Sequence, residues 1–313
     1  MKKVKDFLWH EGMTVEELVD KFGNLGFQAI ELNSAVDVVL KMKRTKSKIF
    51  LTFTSNMVTS GLRGLFAQLC SLKIPDILIT TSGAIEEDIM KSTGEEFEVL
   101  DFYADDTKLH ENGENRVGNL GIRTESYMKF EDKMSEYLEE IYKKKKRISV
   151  SELLYEIGLK LEDKNSILYQ AAKNKIDIYC PGIADSSFGF HLFMFQQKHS
   201  DFMVDTIQDM QKVITGLSFD EKKGLISLGG SISKHYAIFS SMLSGGLDYA
   251  VYMSTSHFTS GSLSGATTQE AKSWGKIKDD AEAATVTGDV SFTFPLLMSS
   301  VLDKMKREGL LDD

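Results

Sequence analysis

The chain has 313 residues, a formal net charge of −9 at pH 7 and a pI of about 5.3. This acidic balance argues against a general nucleic-acid binder or a protein that binds anionic membranes, and it suits a cationic partner such as a polyamine or a basic protein. Hydrophobic residues make up 42% of the chain and charged residues 27%, as in an ordinary globular protein with a substantial core.

The spacing of the cysteines and the hydropathy of the chain argue against further classes of protein, namely metal-binding, disulfide-rich, secreted and membrane-spanning proteins. Cys70 and Cys180 form neither a metal-ligand spacing nor a disulfide framework. The first residues contain no apolar run of signal-peptide length, and no later stretch has the roughly 18 consecutive apolar residues of a membrane helix. We therefore expect a cytoplasmic protein without a metal site.

Short apolar segments alternate with helical patterns along the first half of the chain. Residues 48–55 and 76–83 predict strands, and residues 61–73 and 84–92 predict helices that follow them. After an irregular stretch, residues 125–147 predict one long amphipathic helix.

The second half repeats the alternation, with strands predicted at 176–182, 224–230, 247–255 and 283–289. This pattern predicts an α/β fold with a Rossmann-like, mainly parallel sheet flanked by helices. The chain has three prolines and no Ser/Pro-rich linker, so we expect a single large domain over residues 1–313.

The loops after the predicted strands are rich in Gly, Ser, Thr and Asp. Ligands of parallel α/β sheets bind outside the carboxyl ends of the strands. Small residues let backbone N–H groups approach a phosphate, and hydroxyls or carboxylates can bind ribose. Six such loops favour a nucleotide or dinucleotide site, in the absence of the G-x-G-x-x-G fingerprint.

Seven short segments of the chain occur in the order and spacing that they have in the deoxyhypusine synthase family. They are TSNMVTSGLR, TTSGAIEED, ENGENRVGNL, LGGSISKH, LDYAVYMST, EAKSWGKI and GDVSFTFPLL. From about Val4 to its C-terminus the chain resembles that family, in which SWGKI and DYAVY are specific motifs. Eukaryotic members carry an N-terminal extension. Here the match begins almost at Met1, so we expect such an extension to be short or missing, as in a prokaryotic form.

The resemblance implies an NAD-dependent aminobutyltransferase. Spermidine is oxidised to an imine, an enzyme lysine captures the four-carbon unit, and 1,3-diaminopropane leaves. A lysine of the translation initiation factor 5A precursor then takes the unit, and the retained NADH reduces the product imine. The resemblance also implies a homotetramer with active sites at a dimer interface.

The resemblance assigns roles to individual residues. Lys276 matches the imine-forming lysine, and His235 matches the histidine expected to accept a proton during amine oxidation. Trp274 matches the tryptophan that lines the amine channel. Further amine-binding positions are Glu270, Tyr252 and Asn119. Positions that match NAD contacts are Asn56, Thr59, Thr81, Glu87, Asp185, Gly229, Gly230, Thr255 and Asp289.

Three positions depart from the family pattern. Phe190 (followed by His191) and Leu263 stand where the family has acidic residues that hold the charged ends of spermidine, and Ser260 replaces an acidic residue near the cofactor ribose. A buried ammonium without its carboxylate costs several kcal/mol. Spermidine binding should therefore weaken unless another acid, such as Asp185 or a residue of a neighbouring subunit, compensates.

Three functions remain open from the sequence. The first is deoxyhypusine formation from spermidine. The second is a related enzyme that uses another amine or a small-molecule acceptor, as in homospermidine formation. The third is an NAD-binding non-catalytic subunit, against which the intact SWGKI motif argues.

Overall fold

The computed structural model describes residues 3–311. The chain divides into two compact units. The first comprises the described parts of residues 1–53, 74–79 and 210–313, and the second comprises residues 54–73 and 80–209. That residues 1–313 fold as one domain stays a prediction.

The strands are β1 (Lys48–Thr52), β2 (Ile77–Ile79), β3 (Glu98–Val99), β4 (Glu114–Val117), β5 (Leu120–Arg123), β6 (Arg147–Ser149), β7 (Asp177–Tyr179), β8 (Met203–Asp205), β9 (Lys223–Leu228), β10 (Leu247–Ser254) and β11 (Ile277–Thr287).

The α-helices are α1 (Val15–Phe22), α2 (Phe27–Arg44), α3 (Ser55–Met57), α4 (Arg63–Ser71), α5 (Ser82–Ser92), α6 (Asp106–Glu111), α7 (Thr124–Lys144), α8 (Val150–Gly158), α9 (Ile167–Asn174), α10 (Ser187–Lys198), α11 (Thr206–Thr215), α12 (Ser231–Met242), α13 (Thr268–Lys272) and α14 (Val290–Arg307). A π-helical turn, Val58–Leu62, leads into α4, and a 3₁₀ turn, Phe258–Ser260, follows β10. None of the helices in the described part of the chain is long and apolar enough to cross a bilayer.

The first unit is built on parallel strands. Five of them are hydrogen-bonded in the order β11-β10-β9-β1-β2, with Val251 of β10 paired to Ile226 of β9 and to Ala284 of β11. Every residue of β9 is buried, because α2 and α12 pack against this part of the sheet. The predicted α/β fold with a mainly parallel sheet is confirmed.

The second unit packs its helices around a core that includes Phe130 of α7 and Phe188 of α10, whose ring centres are 6.4 Å apart. It also contains a small antiparallel sheet in the order β3-β5-β4 and a parallel pair, β6 and β8. This antiparallel sheet and α6 occupy the stretch between residues 92 and 125 that the sequence pattern left irregular.

Strand β11 begins six residues before the predicted strand 283–289. Ile277 pairs with Leu247, and pairing resumes only at Glu282 with Tyr249, so the register shifts between the two pairs. The intervening Asp279 and Asp280 are exposed. Their polar side chains break the apolar pattern that would have revealed the start of the strand.

Candidate functional site

Lys276 is held at the amino end of β11 in the first unit. Its backbone N–H donates to the carbonyl of Ala271 at 3.1 Å, and its carbonyl accepts from the N–H of Leu247 at 3.1 Å. The residue is only 9% exposed, and its Nζ lies 5.0 Å from the centre of the Trp274 ring. That distance allows a cation–π contact, so the structure brings Lys276 and Trp274 together in one cleft.

The cleft lies between α12, α13 and β10. The polar side chains that line it belong to Lys234, Tyr252, Glu270 and Lys276, and its other walls include Leu263 and Trp274. Its free volume is about 20 Å³, enough for about one water-sized group. Predicted amine-site residues Glu270, Tyr252, Trp274 and Lys276 therefore share one small cleft.

Lys234 is a member of this cleft that sequence reasoning missed. It is 1% exposed, and its ammonium donates to the carbonyls of Leu263 at 3.0 Å and Ala266 at 2.9 Å. Burial lowers the pKa of Lys234 to about 8; the charge of Glu270 opposes that shift and the charge of Lys276 adds to it. One signal was available, because Lys234 stands four residues before Ile238 on the buried face of α12.

Tyr252 presents a buried hydroxyl to the cleft. The residue is 3% exposed, and its hydroxyl has no hydrogen-bond partner among residues 3–311. Burial raises the pKa of this phenol, so the group keeps its proton and acts as a donor. A buried donor without an acceptor is costly, which makes this hydroxyl a candidate ligand-binding group.

His235 lies on the exposed side of α12, next to Lys234 in the chain. Its ring stacks on Phe239 with 6.0 Å between ring centres and 13° between ring planes. Partial burial, and then the positive charge of Lys276, lower the pKa of His235. A neutral imidazole at pH 7 can accept a proton, as the predicted role requires.

Four predicted cofactor positions lie in the first unit, directly after the carboxyl ends of strands. Gly229 and Gly230 follow β9, Thr255 follows β10, and Asp289 lies two residues beyond β11. Gly229 has a φ of 78°, which favours glycine. Asp289 already has a structural task, because its carboxylate caps α14 by accepting from the N–H of Ser291 at 2.8 Å.

Gly230 marks a close approach of two chain segments. A Cβ at this position would lie 2.3 Å from the Cα of Ser264, and the N–H of Ser231 donates to the Ser264 hydroxyl at 3.1 Å. The loop that carries Leu263 therefore packs directly against the turn before α12. Ser260 of the same loop is exposed and donates its hydroxyl to the carbonyl of His257.

The other cofactor positions lie in the second unit, and two of them are bonded to each other. The Thr59 hydroxyl donates to the Glu87 carboxylate at 2.7 Å. Burial raises the pKa of Glu87 to about 7, and the bond from Thr59 opposes the shift. Thr81 accepts from the N–H of Ser55 at 3.1 Å. Glu86, which sequence reasoning missed, is also buried and accepts from the N–H of Phe188 at 2.8 Å.

The remaining predicted residues of the second unit lie at its surface or in turns. Asn56 is exposed and its side-chain oxygen accepts from the Thr54 hydroxyl. Asp185 is exposed, and Asn119 lies in the turn between β4 and β5. Phe190 is 55% exposed on α10. The roles of these residues stay predictions.

Known proteins match this chain over nearly its whole length. The family model described as deoxyhypusine synthase matches residues 17–301. The probable deoxyhypusine synthase of Thermoplasma acidophilum is 37% identical over 304 residues, covering 96% of this chain and 97% of that protein. That of Aeropyrum pernix is 39% identical over 307 residues, covering 96% of this chain and 99% of that protein.

A solved structure agrees with this match. The crystal structure of a candidate deoxyhypusine synthase from Entamoeba histolytica is similar with a TM-score of 0.68 and 26% sequence identity, and the match covers 96% of this chain and 97% of that one. Sequence and fold thus lead to the same family, whose model spans both the cleft and the strand-end loops. The chain belongs to the deoxyhypusine synthase family of aminobutyltransferases.

Proposed function

We propose that this chain transfers an aminobutyl group by way of an imine on Lys276, with NAD as the hydride carrier. The observation that supports this most is the buried Lys276 side chain beside Trp274, in a cleft that also contains Tyr252 and Glu270. In the first candidate reaction spermidine is the donor and a lysine of the translation initiation factor 5A precursor is the acceptor. A homotetramer in the cytoplasm belongs to the same proposal.

Each side chain of the cleft has a proposed task. NAD, when bound, would supply the hydride acceptor for the carbon beside the donor's secondary amine. His235 accepts the proton that the amine nitrogen loses, which leaves an imine. The Lys276 nitrogen adds to the imine carbon and displaces the shorter diamine, which leaves the four-carbon unit on Lys276 as an imine. The acceptor lysine repeats this exchange and releases Lys276, and the reduced cofactor would supply the hydride that reduces the product imine.

Two features support NAD as the cofactor. Gly229 and Gly230 form a tight turn between β9 and the N-terminus of α12, and Thr81 begins α5 in the second unit. Within the described chain, the N-cap residues Thr81 and Gly230 make no side-chain hydrogen bond to their helices, although the N–H of Ser231 in α12 donates to the Ser264 hydroxyl. Free backbone N–H groups at a helix N-terminus suit phosphate groups.

A second candidate uses the same reaction with a different amine or with a small-molecule acceptor. Leu263 favours it, because an apolar side chain lines the cleft where family members have a carboxylate.

Borohydride trapping tests the reaction. The protein is incubated with NAD and labelled spermidine without an acceptor, reduced, and mapped by peptide. Label on Lys276, and its loss in Lys276→Arg but not in the matched control Lys278→Arg, would support the proposal. Addition of the factor 5A precursor should then move the label to that protein. NAD binding without any reducible adduct, with spermidine or with other amines, would indicate the non-catalytic alternative instead.

A further inference from the structure

Lys91 binds the turn that carries one of the predicted cofactor residues. It lies in the last turn of α5, and its ammonium donates to the carbonyl of Val58 at 2.8 Å and to that of Thr59 at 3.4 Å. The ring of Phe97 covers the ammonium from another side, with 4.8 Å between Nζ and the ring centre. One cation of the second unit thus binds the main chain on both sides of Thr59.

The turn that Lys91 binds is irregular. It is the π-helical turn Val58–Leu62, and inside it Gly61 has a φ of 101°, so the main chain leaves a helical path directly after Thr59 and Ser60. Such a turn has poorer hydrogen-bond geometry than a regular α-helix. A donor from outside the turn can therefore fix its path.

The path of the turn decides where the Thr59 hydroxyl lies. Its oxygen is 2.7 and 2.8 Å from the two carboxylate oxygens of Glu87, and within residues 3–311 it is the one hydrogen-bond donor to that carboxylate. A carboxylate has about four acceptor sites, so this buried group keeps acceptor capacity for a ligand. In dinucleotide sites an acidic side chain accepts from a ribose hydroxyl.

The charge of Lys91 also acts on Glu87. Burial raises the pKa of Glu87 to about 7, and the Thr59 bond and then the charge of Lys91 oppose that shift. The neighbouring Glu86 adds to the shift. Burial lowers the pKa of Lys91, and the charge of Glu87 opposes this second shift. The two side chains therefore stabilise each other's charged forms.

The other titratable groups around this pair do not replace Lys91. Burial, followed by the charge of Glu87 and its neighbour, raises the pKa of the Tyr127 phenol in α7, which keeps this group uncharged at pH 7. Arg63 and Asp88 act on Lys91 in opposite directions and are bound to each other at 2.6 Å. Helices α3, α9 and α10 also pack against α5, and none of their described side chains contributes a charge that acts on Glu87.

We propose that Lys91 is a positioning residue for the cofactor: its ammonium fixes the turn that carries Thr59, and its charge stabilises the Glu87 carboxylate that accepts a ribose hydroxyl of NAD. The inference rests on the proposed function, in which NAD is the hydride carrier. It adds a residue that acts on the cofactor only through two others.

Calorimetric titration with NAD between pH 6 and pH 8.5 tests this without turnover. Wild type should bind NAD more weakly below about pH 7, because protonated Glu87 loses acceptor sites. Lys91→Met should move the midpoint of this dependence to higher pH and weaken binding at pH 7 by about tenfold. Lys91→Gln, which keeps a donor without the charge, should share the higher midpoint, and Lys91→Arg should restore the wild-type one.

Two further variants serve as controls. Lys173→Met removes an exposed cation from beside the Tyr169 ring of the same unit, and it should change neither the affinity nor the midpoint. Glu87→Gln should remove the pH dependence. Thermal melts identify any variant that does not fold. If Lys91→Met does not fold, Lys91→Gln gives the same comparison, and loss of the fold in both variants would assign Lys91 a structural role and refute the inference.

A pH-independent affinity of wild type for NAD, or an unmoved midpoint in Lys91→Met, would overturn the inference. A lysine with only a structural role would lower the affinity by the same factor at every pH. Borohydride trapping on Lys276 separates these outcomes from failure of the proposed function. An adduct in wild type together with an unmoved midpoint leaves the transfer intact and refutes the inference alone.

The remaining outcomes are also decisive. A moved midpoint without any adduct on Lys276 supports the inference and refutes the transfer. A wild-type protein that binds no NAD at any pH refutes both the proposed cofactor and the role of Lys91.

Discussion

The ammonium group of Lys234 lies 3.8 Å from the centre of the Tyr252 ring, within range of a cation–π contact. The same ammonium donates to the carbonyls of Leu263 and Ala266. One buried cation thus connects β10, which carries Tyr252, to the loop that forms a wall of the cleft. We therefore expect the structure of the cleft to depend on this group.

Lys234→Met should lower the free energy of unfolding by about 2–3 kcal/mol, because two buried carbonyls lose their donor. Urea unfolding measures the loss. Lys278→Met is the matched control, since the partly exposed Lys278 forms an ion pair with Asp248 that should be worth less than about 1 kcal/mol. Equal losses in the two variants would show that Lys234 does not hold the loop.

Lys276→Met should raise the pKa of His235, because the positive charge of Lys276 contributes to lowering it. The shift should be only partial, since burial is the larger cause and remains. NMR titration of the His235 ring measures it directly. Lys278→Met serves as the control and should leave the pKa of His235 unchanged. An unchanged pKa of His235 in Lys276→Met would show that the charge of Lys276 does not act on the His235 ring.

Stability should depend on the protonation of Glu87 in the second unit. Burial raises the pKa of Glu87 from its ordinary 4.5 to about 7, so the folded state binds the proton more tightly than the unfolded chain. Its contribution is therefore fully present below pH 4.5 and is lost as pH rises to about 7. The loss is up to about 3 kcal/mol, at about 1.4 kcal/mol per pKa unit.

Denaturant unfolding of wild type and Glu87→Gln at pH 5 and pH 8 checks this. The variant should lose less stability than wild type between the two pH values. Glu125→Gln, at an exposed position in the same unit, should behave like wild type. A parallel pH dependence of wild type and Glu87→Gln would contradict the assigned raised pKa.

A buried ion pair stabilises the second unit. Arg63 Nε donates to Asp88 at 2.6 Å, and Asp88 also accepts from the N–H of Leu168 at 2.8 Å. Arg63→Met should cost about 3–5 kcal/mol, because Asp88 is left buried without its counterion. Arg147→Met removes an exposed pair with Asp205 and should cost less than about 1 kcal/mol in the same urea experiment.

The core of the fold was predictable because buried parallel strands are continuous apolar runs. Strands β1, β9 and β10 begin within two residues of their predicted starts and end within three residues of their predicted ends. The small sheet of β3, β4 and β5 was missed, because its strands have two to four residues each and bury only two of their ten residues. Strands this short are too brief for a periodic sequence pattern that would distinguish them from loops.

The candidate site was predictable only in part. Lys276 and Trp274 were identified from a motif, and the structure shows that they belong to the same cleft. The contribution of Lys234 depends on the path of a loop about thirty residues further along the chain, where its two carbonyl acceptors lie. No local pattern encodes that approach, so the sequence could not reveal it.

The wall of the cleft that carries Leu263 is held in position through its main-chain atoms. Lys234 binds the backbone oxygens of residues 263 and 266, and Gly230 admits the backbone at Ser264. The side chain at 263 carries none of these bonds, so we expect that mutation can exchange it without displacing the wall. We therefore expect the residue at 263 to vary among relatives that differ in amine preference while Lys276 and its surroundings persist, so that selectivity evolves separately from the reaction proposed for Lys276.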